Sequence, residues 1–207
     1  MSRPAVFIDR DGTINEQMGY INHPSRFLLL PRTAEAVREL NRNGFLAIVV
    51  SNQSGVARGY FPVELVHDVH NRMKELLSRD GARIDGIFFC PHHPLGRVEK
   101  YAIACDCRKP GMGLIRQARD RFDIDMAASY VVGDRCQDLE MAERAGLAGV
   151  LVLTGYGHGE QEYVLSGESV RPAYVAEDLL DGVRWILQTE NRRAVGRSCP
   201  KKYSRTS

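Results

Sequence analysis

The sequence predicts an α/β fold, a Rossmann-like parallel sheet with helices on both faces. Short apolar runs alternate with helical patterns along the 207 residues, and polar clusters follow several of these runs. Such alternation is typical of parallel strands that are joined by crossover helices. A content of 43% hydrophobic residues is sufficient for a buried core, and the length fits a single domain.

Five apolar runs are predicted to be buried strands, at residues 5–8, 45–50, 84–89, 130–132 and 150–153. Helical patterns follow them, between Thr33 and Gly44 and at residues 62–79, 111–121, 137–145 and 177–188. Thr33 is predicted to cap the first helix, and Pro62 suits the first turn of the second. No insertion is long enough to form a large cap domain.

Residues 1–189 are predicted to form this domain, and residues 190–207 a basic, frayed tail. Six of the 28 basic residues lie in the tail, so the rest of the chain is slightly acidic and no nucleic-acid partner is expected. No apolar stretch approaches the roughly 18 residues of a membrane span, and the N-terminus lacks a signal-peptide layout. We expect a cytoplasmic monomer without a membrane partner.

Two aspartates, Asp9 and Asp11, directly follow the first strand, and Gly12 permits a sharp turn after them. Residues i and i+2 of an extended chain project to the same side, so the two carboxylates converge. Magnesium is commonly bound by one or two carboxylates together with a substrate phosphate. This segment alone is equally compatible with an ordinary turn.

Further polar segments follow the second and fourth strands, at Ser51-Asn52-Gln53-Ser54 and at Gly133-Asp134-Arg135-Cys136-Gln137-Asp138. The carboxyl ends of parallel strands share one sheet edge, so these side chains should meet Asp9 and Asp11. Arg108 and Lys109 precede the third helix and offer positive charge. Taken singly, the first segment is also a plain polar turn, and Asp138 is also a helix-capping residue.

Three of the five cysteines lie close together: Cys90-Pro91-His92 and Cys105-Asp106-Cys107 flank one loop. Cys90, His92, Cys105 and Cys107 form the four-ligand set typical of structural zinc, with His93 as an alternative to His92. The other interpretation is that these cysteines are small buried apolar residues. Cys136 and Cys199 are interpreted as structural or incidental.

The four segments, in this order, resemble the four motifs of the haloacid dehalogenase superfamily. The resemblance implies that Asp9 attacks phosphorus, and that Asp11 protonates the leaving oxygen and then activates water. It also implies that Ser51 and Lys109 hold the phosphoryl oxygens. Magnesium would be held by Asp9, the Asp11 carbonyl and Asp134, with Asp138 as a supporting carboxylate or alternative acid. General-acid chemistry requires a protonated Asp11, so we expect its neighbours to raise its pKa.

Within the superfamily, the chain resembles the D-glycero-D-manno-heptose 1,7-bisphosphate 7-phosphatases. The resemblance lies in the loop from Cys90 to Cys107, here called the zinc loop, and in the segments Phe7–Asn15, Ser51–Gly59 and Cys105–Pro110. The resemblance implies a product that feeds ADP-heptose synthesis for the lipopolysaccharide core. It also implies that nine residues contact the sugar phosphate besides the catalytic groups: Gln17, Met18, Gly19, Tyr20, Asn52, Gln53, Ser54, Arg108 and Arg135.

Two alternatives remain at this point. Histidinol-phosphate phosphatases share the fold and a similar zinc loop, and loop residues decide between the two substrates. An inactive, zinc-stabilised binding module is the alternative of another class, although it need not keep both Asp9 and Asp11 together with Lys109 and Asp134. A kinase or nucleotide hydrolase is not predicted, because the sequence contains no Gly-x-x-x-x-Gly-Lys-Ser/Thr loop.

Overall fold

A six-stranded parallel sheet forms the centre of the protein, in the strand order β3-β2-β1-β4-β5-β6. The computed structural model describes residues 2–198. Its strands are β1 (Ala5–Ile8), β2 (Leu46–Asn52), β3 (Gly86–Cys90), β4 (Tyr130–Gly133), β5 (Ala148–Val152) and β6 (Tyr174–Ala176). The five predicted strands and the parallel α/β class are confirmed. The sixth strand was not predicted, because three residues are too few for a recognisable apolar run.

Helices connect the strands as the alternation predicts. They are α1 (Thr33–Arg42), α2 (Val63–Arg79), α3 (Gly113–Arg121), α4 (Cys136–Arg144), the short α5 (Gly157–Gly159) with a π-helical turn Glu160–Val164, and α6 (Leu179–Ser198). The helix α6 continues well past the predicted end at residue 188, so the first part of the predicted tail is helical. Residues 199–207, which include Cys199, lie outside the described residues. None of the helices from residue 2 to residue 198 is long and apolar enough to cross a bilayer.

The predicted cap at Thr33 is wrong. Thr33 is the first residue of α1, and the capping position is taken by Arg32, whose side chain makes no capping hydrogen bond. The Thr33 hydroxyl instead donates a hydrogen bond of 3.2 Å to the carbonyl of Ile14. Thr33 therefore ties the start of α1 to the loop that carries Asp9 and Asp11.

Two apolar cores cover the two faces of the sheet. Alternate residues of β1 divide between them: Val6 and Ile8 pack with α1, α2 and α6, whereas Ala5 and Phe7 pack with α3 and α4. This division follows from the two-residue period of a strand. Burial on both faces explains why the strands are almost continuously apolar.

The order of the strands determines where a ligand can bind. Strand β1 lies between β2 and β4, and all three run in the same direction. Ligands of such sheets bind beyond the carboxyl ends of the strands, where the strand order reverses. The described chain between β1 and α1 contains only a short helical turn, Pro24–Arg26, and isolated bridges. Within residues 2–198, no large cap domain covers this edge.

Candidate active site

Three buried carboxylates meet at the carboxyl edge of the sheet. Asp9 continues β1, and its N–H donates a hydrogen bond of 2.9 Å to the carbonyl of Val132 in β4. Asp134 follows β4, and Asp138 lies in the first turn of α4. One oxygen of each of these carboxylates lies within 4.8 Å of the others. The predicted convergence of the segments after β1 and β4 is thus present.

Lys109 supplies the positive charge among these carboxylates. Its Nζ lies 2.5 Å from Oδ1 of Asp9, 2.6 Å from Oδ1 of Asp138 and 3.0 Å from the carbonyl of Val50. Burial alone would lower the pKa of Lys109, but the charges of Asp138 and Asp9 outweigh burial and raise it. Lys109 is therefore a permanently charged ammonium inside the protein.

One ammonium does not balance three carboxylates. Burial raises the pKa of Asp9 to about 6. The charge of Lys109 opposes this rise, and the charge of Asp138 adds to it. Burial, Asp9 and Asp138 raise the pKa of Asp134 to about 8. Oδ1 of Asp134 is buried and has no hydrogen-bond partner within the described chain. A set of oxygen ligands with surplus negative charge fits a divalent cation. Such a cation would stabilise Asp9 and Asp134 as ionised carboxylates.

Gly12 allows the chain to approach Asp134 closely. Its φ is +93°, a left-handed conformation, and a side chain at this position would overlap the carboxylate of Asp134. The hydroxyl of Thr154 donates a hydrogen bond of 2.6 Å to the Gly12 carbonyl. The turn after Asp11 is thus fixed against the loop that follows β5.

Asp11 lies beside this cluster and is held by neighbouring donors. Its carboxylate accepts hydrogen bonds from Arg10 at 2.5 Å, from Gln53 at 2.8 Å and from Asn15 at 3.0 Å. The Asp11 carbonyl accepts a 3.4 Å bond from Gln17. Burial would raise the pKa of Asp11, but the Arg10 guanidinium and these hydrogen bonds outweigh burial and lower it. The expected rise in the pKa of Asp11 is therefore wrong.

Arg10 is the main cause of the lowered pKa of Asp11. Only 2% of Arg10 is exposed, and it lies between the Asp11 carboxylate and Nε2 of His70, which is 3.3 Å from Nη1. Burial, followed by the charge of Arg10, lowers the pKa of His70 to about 3. His70 is thus neutral and can accept a hydrogen bond from Arg10. Sequence reasoning did not identify this support of Asp11.

The last two residues of β2, together with Gln53 directly after it, place hydrogen-bonding side chains beside Asp11 and Lys109. The side-chain NH2 of Gln53 donates bonds of 2.8 Å to both the Ser51 hydroxyl and Asp11. Oδ1 of Asn52 accepts a 3.0 Å bond from the backbone N–H of Lys109, and its Nδ2 donates a 3.2 Å bond to the Lys109 carbonyl. Asn52 therefore fixes the backbone that presents Lys109.

A cavity of about 190 Å³ opens onto these groups. Its lining comprises Asp9, Asp11, Gln17, Gly19, Tyr20, Ser51, Asn52, Ser54, Arg108, Lys109, Arg135, Gln137 and Tyr156. Two predicted contact residues, Met18 and Gln53, are not part of this lining. Gln137 and Tyr156 were not predicted as site residues. Tyr156 could have been suspected, because it lies in the long connection after β5, at the same edge of the sheet.

The predicted zinc ligands also come together. The sulfur atoms of Cys90, Cys105 and Cys107 lie 3.1 to 3.3 Å apart, and Nδ1 of His92 lies 3.3 Å from the sulfur of Cys107. These three cysteines are free thiols. Three thiolates and one imidazole match the closed tetrahedral set of a structural zinc site. The cluster could therefore hold a zinc ion.

His93, the alternative ligand, lies outside this cluster. Its Nε2 is 3.1 Å from Nη2 of Arg58, and its Nδ1 accepts a 3.1 Å bond from the backbone of Leu95. Backbone bonds add to this connection, since Ala57 bonds to Pro91 and Arg97. The zinc loop is thus attached to the segment that carries Ser51 and Gln53.

The fold and the site together define a haloacid dehalogenase-like hydrolase. Its parallel sheet carries Asp9 and Asp11 after β1, Ser51 in β2, Lys109 before α3 and Asp134 after β4. Residues 106–182 match a family model described as HAD-hydrolase-like. The chain is also 42% identical over 193 residues to the D-glycero-D-manno-heptose-1,7-bisphosphate 7-phosphatase of Thermosynechococcus vestitus, covering 90% of this chain and 96% of that protein.

Two further comparisons agree. The D-glycero-beta-D-manno-heptose-1,7-bisphosphate 7-phosphatase of Escherichia coli K12 is 46% identical over 155 residues, which cover 74% of this chain and 81% of that protein. The crystal structure of D,D-heptose 1,7-bisphosphate phosphatase from B. bronchiseptica, complexed with magnesium and phosphate, superposes with a TM-score of 0.79 at 32% identity. It covers 90% of this chain and 99% of its own. The chain therefore belongs to the heptose bisphosphate phosphatase family of haloacid dehalogenase-like hydrolases.

Proposed function

We propose that this protein hydrolyses the 7-phosphate of D-glycero-D-manno-heptose 1,7-bisphosphate through a phosphoaspartate on Asp9. The observation that carries the proposal is the buried contact of Asp9 with Lys109, in a chain 42% identical to a named 7-phosphatase over 96% of that protein. The enzyme would act as a cytoplasmic monomer, and its product would enter ADP-heptose synthesis for lipopolysaccharide core.

Two metal sites support this activity. Asp9, Asp134 and the Asp11 carbonyl would hold magnesium, and the unpartnered Oδ1 of Asp134 is the strongest support for this site. Bound magnesium would neutralise charge on the transferring phosphoryl group and orient it for in-line attack. Cys90, His92, Cys105 and Cys107 would hold a structural zinc ion, which takes no part in the reaction itself but fixes the loop that leads into Arg108 and Lys109.

The first chemical step belongs to Asp9. A carboxylate oxygen of Asp9 forms a bond to phosphorus while the bond from phosphorus to the sugar oxygen breaks, and Asp11 gives that oxygen a proton. Lys109 and Ser51 hold the phosphoryl oxygens. A bound phosphate places negative charge beside Asp11, and this repulsion opposes the effect of Arg10 and favours the protonated form that the step requires.

The second step regenerates the enzyme. Asp11, now a carboxylate, takes a proton from water, whose oxygen bonds to phosphorus as the bond to Asp9 breaks. The lowered pKa of Asp11 keeps the group ionised at neutral pH, which is the form that can accept this proton. One residue thus serves as acid and then as base.

Charge at the cavity favours a substrate with a second phosphate. Lys109 is engaged by Asp9 and Asp138, but Nη1 of Arg108 is buried without a hydrogen-bond partner among the described residues. Arg135 lines the same cavity and is 44% exposed. Two available guanidinium groups suit a second phosphate, whereas the ammonium group of histidinol phosphate would meet like charge.

The alternative of an inactive binding module is disfavoured, because the proposed catalytic groups lie together at one edge of the sheet.

Phosphate release with magnesium tests this proposal. The panel contains both anomers of heptose 1,7-bisphosphate, histidinol phosphate and fructose 1,6-bisphosphate, with Asp9→Asn as the matched inactive control. We expect kcat/KM for one heptose anomer to exceed the values for the other compounds by about 100-fold, a gap of about 2.7 kcal/mol. A preference for histidinol phosphate would overturn the substrate assignment. No release from any compound would overturn the enzymatic assignment.

A further inference from the structure

A cation at the cavity is held by two residues that the proposed chemistry does not use. Arg135 is the residue before α4, and its guanidinium carbon lies 4.7 Å from the ring centroid of Tyr156. Its Nε donates a 3.4 Å hydrogen bond to Oε1 of Glu160. A guanidinium over an aromatic face is attracted by the negative face of the ring, and the carboxylate adds a charged contact at a second point.

Both supporting residues are fixed in place. The N–H of Glu160 donates a 2.9 Å helical hydrogen bond to the carbonyl of Tyr156, so the two side chains lie one turn apart on the same side of a helical segment. The N–H of Tyr156 donates a 2.9 Å bond to Asp134, and Oε2 of Glu160 accepts a 2.8 Å bond from the N–H of Cys136. The carboxylate of Glu160 is only 11% exposed.

This arrangement leaves part of Arg135 available. Within residues 2–198, Nη1 and Nη2 of Arg135 have no hydrogen-bond partner, and the side chain is 44% exposed at the cavity. Two adjacent terminal nitrogens can bond a phosphate in a bidentate manner. A mobile arginine would lose side-chain entropy on binding, and support from Tyr156 and Glu160 reduces this cost in advance.

We propose that Tyr156 and Glu160 are positioning residues that hold Arg135 for the non-reacting phosphate of the substrate, and so set the preference for a bisphosphate. This inference rests on the proposed function. The backbone N–H of Tyr156 bonds Asp134, whereas the side chains of Tyr156 and Glu160 both contact Arg135, and we assign their effect to this contact. Their effect is on binding of the remote phosphate, which appears in KM rather than in kcat.

The test compares heptose 1,7-bisphosphate with heptose 7-phosphate, which carries the same reacting group but lacks the remote phosphate. We measure the ratio of the two kcat/KM values in the parent, Tyr156→Leu, Glu160→Gln, Arg135→Met and the conservative control Tyr156→Phe. We expect the ratio to fall roughly three- to tenfold in Tyr156→Leu and Glu160→Gln, through a higher KM for the bisphosphate. Tyr156→Phe keeps the ring and should stay within about twofold of the parent.

The outcomes separate this inference from the proposed function. A parent enzyme that hydrolyses the bisphosphate no better than heptose 7-phosphate would overturn this inference and leave the proposed function standing, whereas no hydrolysis of either compound would overturn the proposed function. A parent with that preference, and a ratio that falls in Arg135→Met but is unchanged in Tyr156→Leu and Glu160→Gln, would overturn the positioning role alone. A loss in Tyr156→Phe equal to that in Tyr156→Leu would also overturn it, because the ring face would then be irrelevant. Because Tyr156 is 45% exposed and Gln at position 160 retains a hydrogen-bond acceptor, these variants are expected to fold.

Discussion

The ammonium nitrogen of Lys109 lies 2.6 Å from a carboxylate oxygen of Asp138, and each of these side chains is only 1% exposed. Asp138 therefore anchors the cation that contacts Asp9. Gly133 makes this contact possible, because a side chain at that position would overlap the Asp138 carboxylate. Asp138 was expected to be a supporting carboxylate or an alternative acid, and its contact with Lys109 favours the supporting role.

Removal of the Lys109 charge should destabilise the protein. We expect Lys109→Met to lower the free energy of unfolding by about 3–5 kcal/mol near neutral pH, because Asp9 and Asp138 would remain buried without a cationic partner. Urea unfolding in the presence of a chelator measures this. The matched control is the exposed Lys74→Met, for which we expect a change within about 0.5 kcal/mol. Equal stability of Lys109→Met and the parent would contradict the role of Lys109 as the compensating charge.

The raised pKa of Asp134 predicts a pH-dependent cost in metal-free protein. The pKa of Asp134 is about 8 in the folded protein and 3.8 in the unfolded chain, so the folded state binds the proton more tightly. The resulting stabilisation is fully present below pH 3.8 and is lost as the pH rises from 3.8 towards 8. Asp134→Asn should therefore have a higher Tm than the parent at pH about 8, and the gap should narrow towards pH about 5. The neutral His70 produces an opposite trend in both proteins and cancels in this comparison. A gap that widens as the pH falls would contradict the assigned direction.

Gly12 should be irreplaceable for a reason beyond its backbone conformation. We expect Gly12→Ala to weaken magnesium binding by at least about tenfold, because its side chain would displace the Asp134 carboxylate. Gly44→Ala is the matched control, since its φ of +81° gives similar backbone strain and nothing lies within 4 Å of the added carbon. Both variants should lose about 1–2 kcal/mol of stability from strain. Calorimetric titration with magnesium measures the difference, and equal affinities would refute the displacement.

The zinc assignment predicts a specific response to loss of Cys107. Elemental analysis should find about one zinc per parent chain and much less in Cys107→Ala, with turnover reduced because Arg108 and Lys109 follow directly. Cys136→Ala is the control, since Cys136 is a free thiol outside the cluster and should retain zinc. Full activity in a zinc-free Cys107→Ala protein would show that the metal does not support the site.

The sequence predicted those features that depend on chain order. Asp9, Ser51 and Asp134 lie in or directly after apolar runs, and the parallel arrangement of those runs brings them to one edge. The structure brings His92, and not His93, next to the three cysteines, so the assignment of His92 as a zinc ligand stays a prediction.

Features that depend on where individual side chains lie in space were not predictable. The lowered pKa of Asp11 results from the way that the buried Arg10 folds back onto its neighbour, which adjacency in sequence does not reveal. The contact of Glu160 with Arg135 joins residues 25 positions apart, on a helical turn that no periodic pattern indicated. Gln53 resembled a substrate ligand, but its amide bonds Asp11 and Ser51.

Phosphorus NMR of heptose 1,7-bisphosphate turnover distinguishes loss of the 7-phosphate from loss of the 1-phosphate, because it identifies which phosphate leaves. With magnesium and the parent enzyme, we expect equal amounts of inorganic phosphate and heptose 1-phosphate, and no reaction with Asp9→Asn. Accumulation of heptose 7-phosphate, or turnover by Asp9→Asn at the parent rate, would contradict the proposed function.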